Sequence, residues 1–451
     1  MDINKITNLP INWIKTELSN IALIIMGQSP PSSTYNIVKK GLPFFQGKTE
    51  FREKYPEIKK WCSKPKKIAE KDDILISVRA PVGPTNICPT RSCIGRGLAS
   101  IRPLDNISTF YVLYLLRYFE NHIARQGTGT TFSAITLNQL KNIYIPLPPL
   151  NEQKRIVEKI EELFSKLDAG IAALERIRVK IKTYRQAVLK YAFEGKLTEK
   201  WRENNKNQLE PAIKILERIK KNYFESQQLS KNNTETFKNK LPCNWSWINI
   251  GSISKVIMGQ SPPGDSYNTQ GKGTPLINGP VEFGTTAFSS TKKVKFTNRP
   301  KKLCKTGDLI LCVRGSTTGR MNIAGFDACI GRGVAALRAY SDQDYFNYFI
   351  HSIEKELLRI GTGSTFPNIN INQIKTYSIP FPPILEQRQI AKEIERRFEN
   401  ADRVEEVVKK CLKKAEAVRQ SILKKAFSGK LVPQDPADEP AEKLLKKIQQ
   451  R

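Results

Sequence analysis

Met26-Gly27-Gln28-Ser29-Pro30-Pro31 is followed by Tyr35-Asn36, and the same residues stand again as Met258-Gly259-Gln260-Ser261-Pro262-Pro263 and Tyr267-Asn268. Working outward, Leu9-Pro10 before Trp13 returns as Leu241-Pro242 before Trp245. The run Asp73-Ile74-Leu75-Ile76-Ser77-Val78-Arg79 pairs with Asp308-Leu309-Ile310-Leu311-Cys312-Val313-Arg314. Cys93-Ile94-Gly95-Arg96-Gly97 reappears as Cys329-Ile330-Gly331-Arg332-Gly333, and Gly127-Thr128-Gly129-Thr130-Thr131-Phe132 as Gly361-Thr362-Gly363-Ser364-Thr365-Phe366. The offset drifts only between 229 and 236 along the chain. So many ordered matches identify a tandem duplication, with a period far longer than that of a solenoid repeat.

Each copy has two parts. The first mixes short β-branched runs with Gly, Pro, Asn and Thr turns. Ile74 to Val78 and Leu309 to Val313 read as buried strands, and one aromatic helix is expected near Tyr111 to Phe119 and near Tyr345 to Ile350. The second part is a long helix. Apolar residues fall at 156, 160, 163, 167, 171, 174, 177, 181, 184, 188 and 191, and in the second copy from Ile390 through Ile394, Phe398, Ala401, Val404, Val408, Cys411, Ala415 and Val418 to Ile422. A mean step of about 3.5 residues is the coiled-coil period. Helices of some 40 residues, on the order of 60 Å, cannot bury such a stripe on a small domain, so the two are expected to pack on each other.

The expected fold is therefore α+β: two duplicated α/β domains separated by two long helices in an antiparallel coiled coil with a pseudo-two-fold axis. The boundaries follow the repeat: a first domain over 1–145, a first spacer helix over 146–200, and a short helix and linker over 201–240. A second domain follows over 241–379, then a second spacer helix over 380–431 and a short helix over 432–451.

Charge points to the partner. Lys+Arg 74 against Asp+Glu 43 leave a net +31, an excess that concentrates polyanions and suits phosphate backbones. No apolar run reaches membrane-spanning length, and the chain start lacks a signal-peptide pattern, so a cytoplasmic location is expected. The eight cysteines never form C-x-x-C and only two histidines are present, which argues against a metal site.

Taken together, these features resemble the specificity subunits of type I restriction–modification enzymes. The resemblance runs over essentially the full chain. Its marks are Pro146-Leu147-Pro148-Pro149-Leu150 with Glu152-Gln153 leading into the first helix, and Arg185-Gln186-Ala187-Val188-Leu189 with Ala192-Phe193-Glu194-Gly195-Lys196-Leu197 leading out. Gln420-Ser421-Ile422-Leu423 and Ala426-Phe427-Ser428-Gly429-Lys430-Leu431 close the second helix similarly. The resemblance implies double-stranded DNA as ligand, each recognition domain taking half of a bipartite site, with adenine methylation and restriction directed to partner subunits. It also implies two methyltransferase subunits carrying S-adenosylmethionine, and restriction/translocase subunits. No cofactor and no catalytic residue is expected on this chain itself.

Candidate DNA-binding residues come from polar loops shared by the copies or differing between them. Gln28 and Ser29, with Gln260 and Ser261, precede Pro-Pro turns and suit either a turn cap or a DNA contact. Gln46 and Lys48 correspond to Asn278 and Pro280; Gln and Asn can each pair bidentately with adenine. Arg79 and Arg314 end strands before differing loops, the second containing Ser316 and Thr317. Arg96 and Arg332 sit between glycines, and all four arginines suit guanine, phosphate or a local carboxylate. Thr128, Thr130, Thr362 and Ser364 occupy small-residue loops that suit either phosphate approach or a tight helix-to-strand connection.

A stand-alone adenine methyltransferase needs an Asn/Asp-Pro-Pro-Tyr/Phe turn, but Ser29-Pro30-Pro31-Ser32 and Ser261-Pro262-Pro263-Gly264 lack the aromatic residue. The sequence contains no Walker-type loop. Glu50 and Glu53 read as solvated surface. The competing reading is a coiled-coil nucleic-acid-binding scaffold outside restriction–modification, which does not account for two related, loop-rich heads.

Overall fold

The computed structural model describes residues 9–127, 134–223, 240–362 and 368–450. Chain compactness separates two units, residues 1–175 with 409–451, and residues 176–408, so each division falls inside a long helix.

In the first unit, the strands Ala22–Met26, Leu98–Pro103, Ile74–Ser77 and Thr85–Ile87 form, in that spatial order, an antiparallel four-stranded sheet. Ile74–Ser77 is buried throughout, as its unbroken apolar run requires of a central strand. A five-stranded sheet, Tyr35–Asn36, Trp61–Cys62, Leu42–Phe45, Ser92–Ile94 and Ile68–Ala69, contains one parallel pair that sets Phe45 beside Ile94. The second unit repeats both sheets. There Ala22–Met26 and Leu98–Pro103 have their counterparts in Ser254–Met258 and Val334–Ala339, and the parallel pair sets Ile277 beside Ile330.

The aromatic helices run over Thr109–Tyr118 and Gln343–Ser352, begun by Ser108 and Asp342 side chains that accept the Tyr111 and Tyr345 N–H groups. Tyr111 and Tyr345 are buried, and each donates its hydroxyl to a proline carbonyl, Pro146 and Pro380. Two further short helices follow in each copy. One of them, Leu137–Lys141 or Ile371–Thr376, starts on a capping box made by Thr136 with Gln139 or Asn370 with Gln373. At seven residues or fewer, these helices are too short to show a helical period in the sequence.

The long helices are Leu150–Phe193 and Ile384–Phe427. Each ends in a Schellman turn on a glycine of positive φ, Gly195 at 73° and Gly429 at 68°, with Lys196 N–H donating to Tyr191 and Lys430 N–H to Lys425. A Cβ at Gly195 would collide with Pro242, and one at Gly429 with Pro10, which explains why Leu-Pro and Phe-x-Gly-Lys-Leu recur together.

Within the first unit the start of the first long helix meets the end of the second. Ile156, Ile160 and Phe164 share a core with Leu423, Ala426 and Phe427, and Asp168 pairs with Arg419. Within the second unit the end of the first helix meets the start of the second, Arg185 pairing with Asp402 and Glu405. The helices therefore run antiparallel in both units.

The sequence stripe expected between them is split by the structure. Ile181 and Val188 are buried, as are Ile394, Ala401, Val408 and Ala415, yet Ile177, Tyr184, Tyr191, Val404 and Val418 are exposed. On the second helix one heptad column, 394, 401, 408 and 415, is buried while Val404 and Val418 of the other face solvent, a narrower seam than the two columns of a regular coiled coil. Among the described residues no helix is long and apolar enough to cross a membrane.

Candidate nucleic-acid interface

Three glycines build the site in each head. In the first, Gly27 lies so close to Gly95 that a Cβ would meet the Gly95 carbonyl; Cβ atoms at Gly95 and Gly97 would press on Gln46. Gly27 N–H donates to Leu98, Gln28 N–H to Ile94, and Gly95 N–H to Phe45. The Gln28-Ser29, Gly95-Arg96-Gly97 and Gln46 segments are thereby locked together. The second head uses the same bonds: Gly259 N–H to Val334, Gln260 N–H to Ile330 and Gly331 N–H to Ile277. There Gly331 and Gly333 abut Asn278, which stands where Gln46 stands.

Onto this scaffold the structure brings most of the candidate residues. Val78 N–H donates to Gly97 and Val313 N–H to Gly333, which sets Arg79 and Arg314 beside the Gly-Arg-Gly turns. Gln46, Lys48 and Arg79 line one open cavity of about 460 Å3. Arg314 bridges to Asn368, and Asn368 exchanges backbone hydrogen bonds of 3.0 and 2.9 Å with Thr362. Thr362 thus lies one strand away from Arg314. Thr128, Thr130 and Ser364 fall outside the described residues.

Ser29 and Ser261 act locally. Their Oγ atoms accept the Arg96 and Arg332 N–H groups at 3.2 Å and hold the arginine turns in shape. Gln28 and Gln260 side chains are exposed beside them. In the second head Ser316 is exposed and Thr317 half-buried, on the turn where Thr318 Oγ1 donates to the Gly315 carbonyl.

Arginine pairing separates scaffold from surface. Arg102 grips buried Asp73 through two hydrogen bonds of 2.8 and 2.9 Å, and Arg338 grips Asp308 through two of 2.7 Å. The bonded carboxylate holds each of these guanidinium groups above its usual pKa. By contrast Arg79, Arg96, Arg314 and Arg332 are exposed, and none makes an ion pair among the described residues. Four unpaired guanidinium groups, two per head, offer planar donor forks to phosphate or guanine.

Sequence reading missed part of the site. Glu50 is a loop closer, accepting the Gly47 N–H at 3.2 Å, and Glu282 accepts the Asn278 and Gly279 N–H groups at 3.1 Å each. Their recurrence four residues after Gln46 and Asn278 was the available signal. The short turns they close carry Lys48 and Thr49 in one head but Pro280 and an exposed Val281 in the other. The scaffold is thus shared while the surface it presents differs.

Residues 10–181 and 242–413 each match the family described as type I restriction modification DNA specificity domain. The chain belongs to this family. The putative type I restriction enzyme MjaX specificity subunit of Methanocaldococcus jannaschii is 42% identical over 200 residues, which is 44% of this chain and 46% of that protein, less than half its length. The type I restriction enzyme EcoDI specificity subunit of Escherichia coli is 26% identical over 440 residues, covering 96% of this chain and 91% of that one. A chain solved in work on complex assembly and conformational transition of the type I R-M system shares the fold, with a TM-score of 0.72 at 23% identity over 94% of this chain and 100% of that chain. The HsdS subunit from Thermoanaerobacter tengcongensis gives a TM-score of 0.55 at 23% identity over 94% and 98%.

Proposed function

We propose that this chain is the double-stranded-DNA-recognising subunit of a type I restriction–modification complex, each head reading one half of a bipartite site. The observation that carries it is the pair of matching interfaces. Glycine-locked turns and unpaired arginines recur in both heads, while the side chains at 46–49 and 278–281 differ, as two different half-sites require. Gln46, Lys48, Arg79 and Arg96 serve the first half-site with Gln28, and Asn278, Arg314, Ser316, Thr317 and Arg332 serve the second with Gln260. The Thr128, Thr130, Thr362 and Ser364 loops belong to phosphate contact.

The chain contributes recognition and no catalysis, and works in the cytoplasm. Two methyltransferase subunits supply S-adenosylmethionine and transfer methyl groups to adenine; restriction/translocase subunits supply cleavage. The long helices are where the methyltransferase docks. Ile177, Tyr184 and Tyr191 recur every seven residues along the first helix as an exposed apolar column, and Val404 and Val418 continue one on the second, in both cases beside lysine and arginine. Such a column accepts a further amphipathic helix of acidic character.

The test is methyl transfer on duplex DNA. Purified alone with S-adenosylmethionine the chain is expected to be inactive, and adding the cognate methyltransferase subunit is expected to restore methylation at one bipartite motif. Tyr184→Glu should lower that restoration at limiting methyltransferase. Methylation by the chain after removal of every co-purifying methyltransferase would overturn the reading.

A further inference from the structure

The loop that carries the chain from Tyr35–Asn36 past the intervening strand Trp61–Cys62 to Leu42–Phe45 is built alike in the two heads but tipped differently. In the first head Asn36 Nδ2 donates to the Lys40 carbonyl at 2.9 Å, and Lys40 N–H donates back to Asn36 Oδ1 at 3.0 Å. In the second, Asn268 and Lys272 make the same two bonds at 2.8 and 3.0 Å. Left-handed backbone falls at the same places, Lys39 and Gly41 in one and Gly271 and Gly273 in the other. Between these fixed points stand Ile37-Val38 in the first head and Thr269-Gln270 in the second.

Ile37 and Val38 are each 77% exposed, so the loop does not need them apolar, and the second head carries polar residues on the same loop. Their surroundings are strongly basic. Lys39 and Lys40 complete the tip, Lys60 adjoins the neighbouring strand Trp61–Cys62, and Lys64 lies just beyond it. All four lysines are exposed, and none forms an ion pair among the described residues. Lys39 instead lies 6.0 Å from the Trp61 ring centroid.

The tip and Gln46 cap opposite ends of one short strand, roughly 15 Å apart, the length of about four base-pair steps. We propose that Ile37 and Val38 form an apolar DNA contact unique to the first head, touching bases in or beside its half-site while the flanking lysines hold the phosphates. Apolar side chains meet DNA at thymine methyl groups or against an opened base step, and both interactions discriminate between sequences. This rests on the DNA-specificity reading above and adds a specificity determinant to it.

The test uses the complex of this chain with its methyltransferase subunit and duplexes bearing the motif found by methylome sequencing. Ile37→Thr/Val38→Gln installs the second head's two tip residues on a loop held by the same Asn–Lys hydrogen bonds. It should weaken binding to the cognate duplex by about tenfold or more, with the salt dependence unchanged. Lys39→Gln/Lys40→Gln should instead flatten the salt slope, by about 0.9 per lost phosphate contact. Replacing thymine by uracil, or placing 2-aminopurine, across the first half-site and its flank should locate a position where wild type responds and the Ile37→Thr/Val38→Gln variant does not. Unchanged affinity and motif in that variant would overturn the proposal, as would an equal loss on every DNA sequence. A loss of methyltransferase association with DNA binding intact would assign the tip to protein and overturn it too. A wild-type complex without sequence preference would instead bring down the DNA-specificity reading itself.

Discussion

Arg314 and Arg338 lie in the same head with opposite prospects, because one has a carboxylate and the other does not. Arg338 holds Asp308, whose side chain is almost wholly buried, through two charged hydrogen bonds. Its removal leaves that carboxylate short of partners, so Arg338→Ala should cost about 2–3 kcal/mol of stability, read from denaturant unfolding. Arg314→Ala should leave stability within about 0.5 kcal/mol, since it vacates an exposed and unpaired position. Its effect belongs to DNA instead: binding should fall, and either one half-site position relaxes or the salt slope drops by about one. Equal stability loss in the two variants would erase the distinction between scaffold and surface arginines. The cysteines are scaffold residues as well. Burial pushes the thiols of Cys88, Cys304 and Cys312 up to about 11 and that of Cys93 to about 12, so these act as packing groups at neutral pH.

Among the elements, the beginnings of the long helices carry the tightest joints. Glu386 is buried where the second helix starts and accepts hydrogen bonds from Trp245 Nε1 at 2.8 Å, Thr198 Oγ1 at 2.8 Å and Arg202 Nε at 3.0 Å. Its counterpart Glu152 accepts from Trp13 Nε1 at 2.9 Å and Gln434 Nε2 at 2.6 Å, both neutral donors. Glu386→Ala abandons a mostly buried guanidinium and should cost about 3–5 kcal/mol. Glu152→Ala leaves only neutral groups unpaired and should cost about 1–3 kcal/mol. Thermal midpoints of the two variants check the order; a larger loss for Glu152→Ala would contradict the assignment. These joints explain the recurring Trp13, Trp245, Glu152 and Glu386, whose partners lie up to 282 residues away in sequence. Spacing alone could place Glu152 and Glu386 at helix starts but could not join them to Trp13 and Trp245.

For the whole molecule, each head is completed by chain from far away. The core of the first unit holds Leu423, Ala426, Phe427, Ala441 and Leu444 beside Trp13 and Tyr111, and Ala441 N–H donates to Asn12 at 3.0 Å. In the second unit Ala212 N–H donates to Asn244 at 3.1 Å, and Ile215, Leu216 and Ile219 join the core around Trp245. The short helices Ala212–Tyr223 and Ala441–Gln449, which follow Glu210-Pro211 and Glu439-Pro440, therefore have the same work, each covering the base of a head. Replacing residues 1–145 with a relative's head that preserves these buried partners should change one half of the methylated motif and leave the other half as it was. Methylome sequencing decides this, and a change in both halves would contradict independent reading.

The duplication, the two strand-rich heads and the long helices are legible along the chain, because each rests on local pattern: repeat and period. The polar loops are legible too, since residues alike in both copies stand out against those that differ. Which arginines are already paired, which half of the apolar stripe is covered, and that Glu50 closes a turn emerge with the fold. Pairing and burial depend on atoms distant in sequence. An arginine two hydrogen bonds from a carboxylate and an arginine facing solvent look the same in one dimension, and the fold separates them by choosing their neighbours.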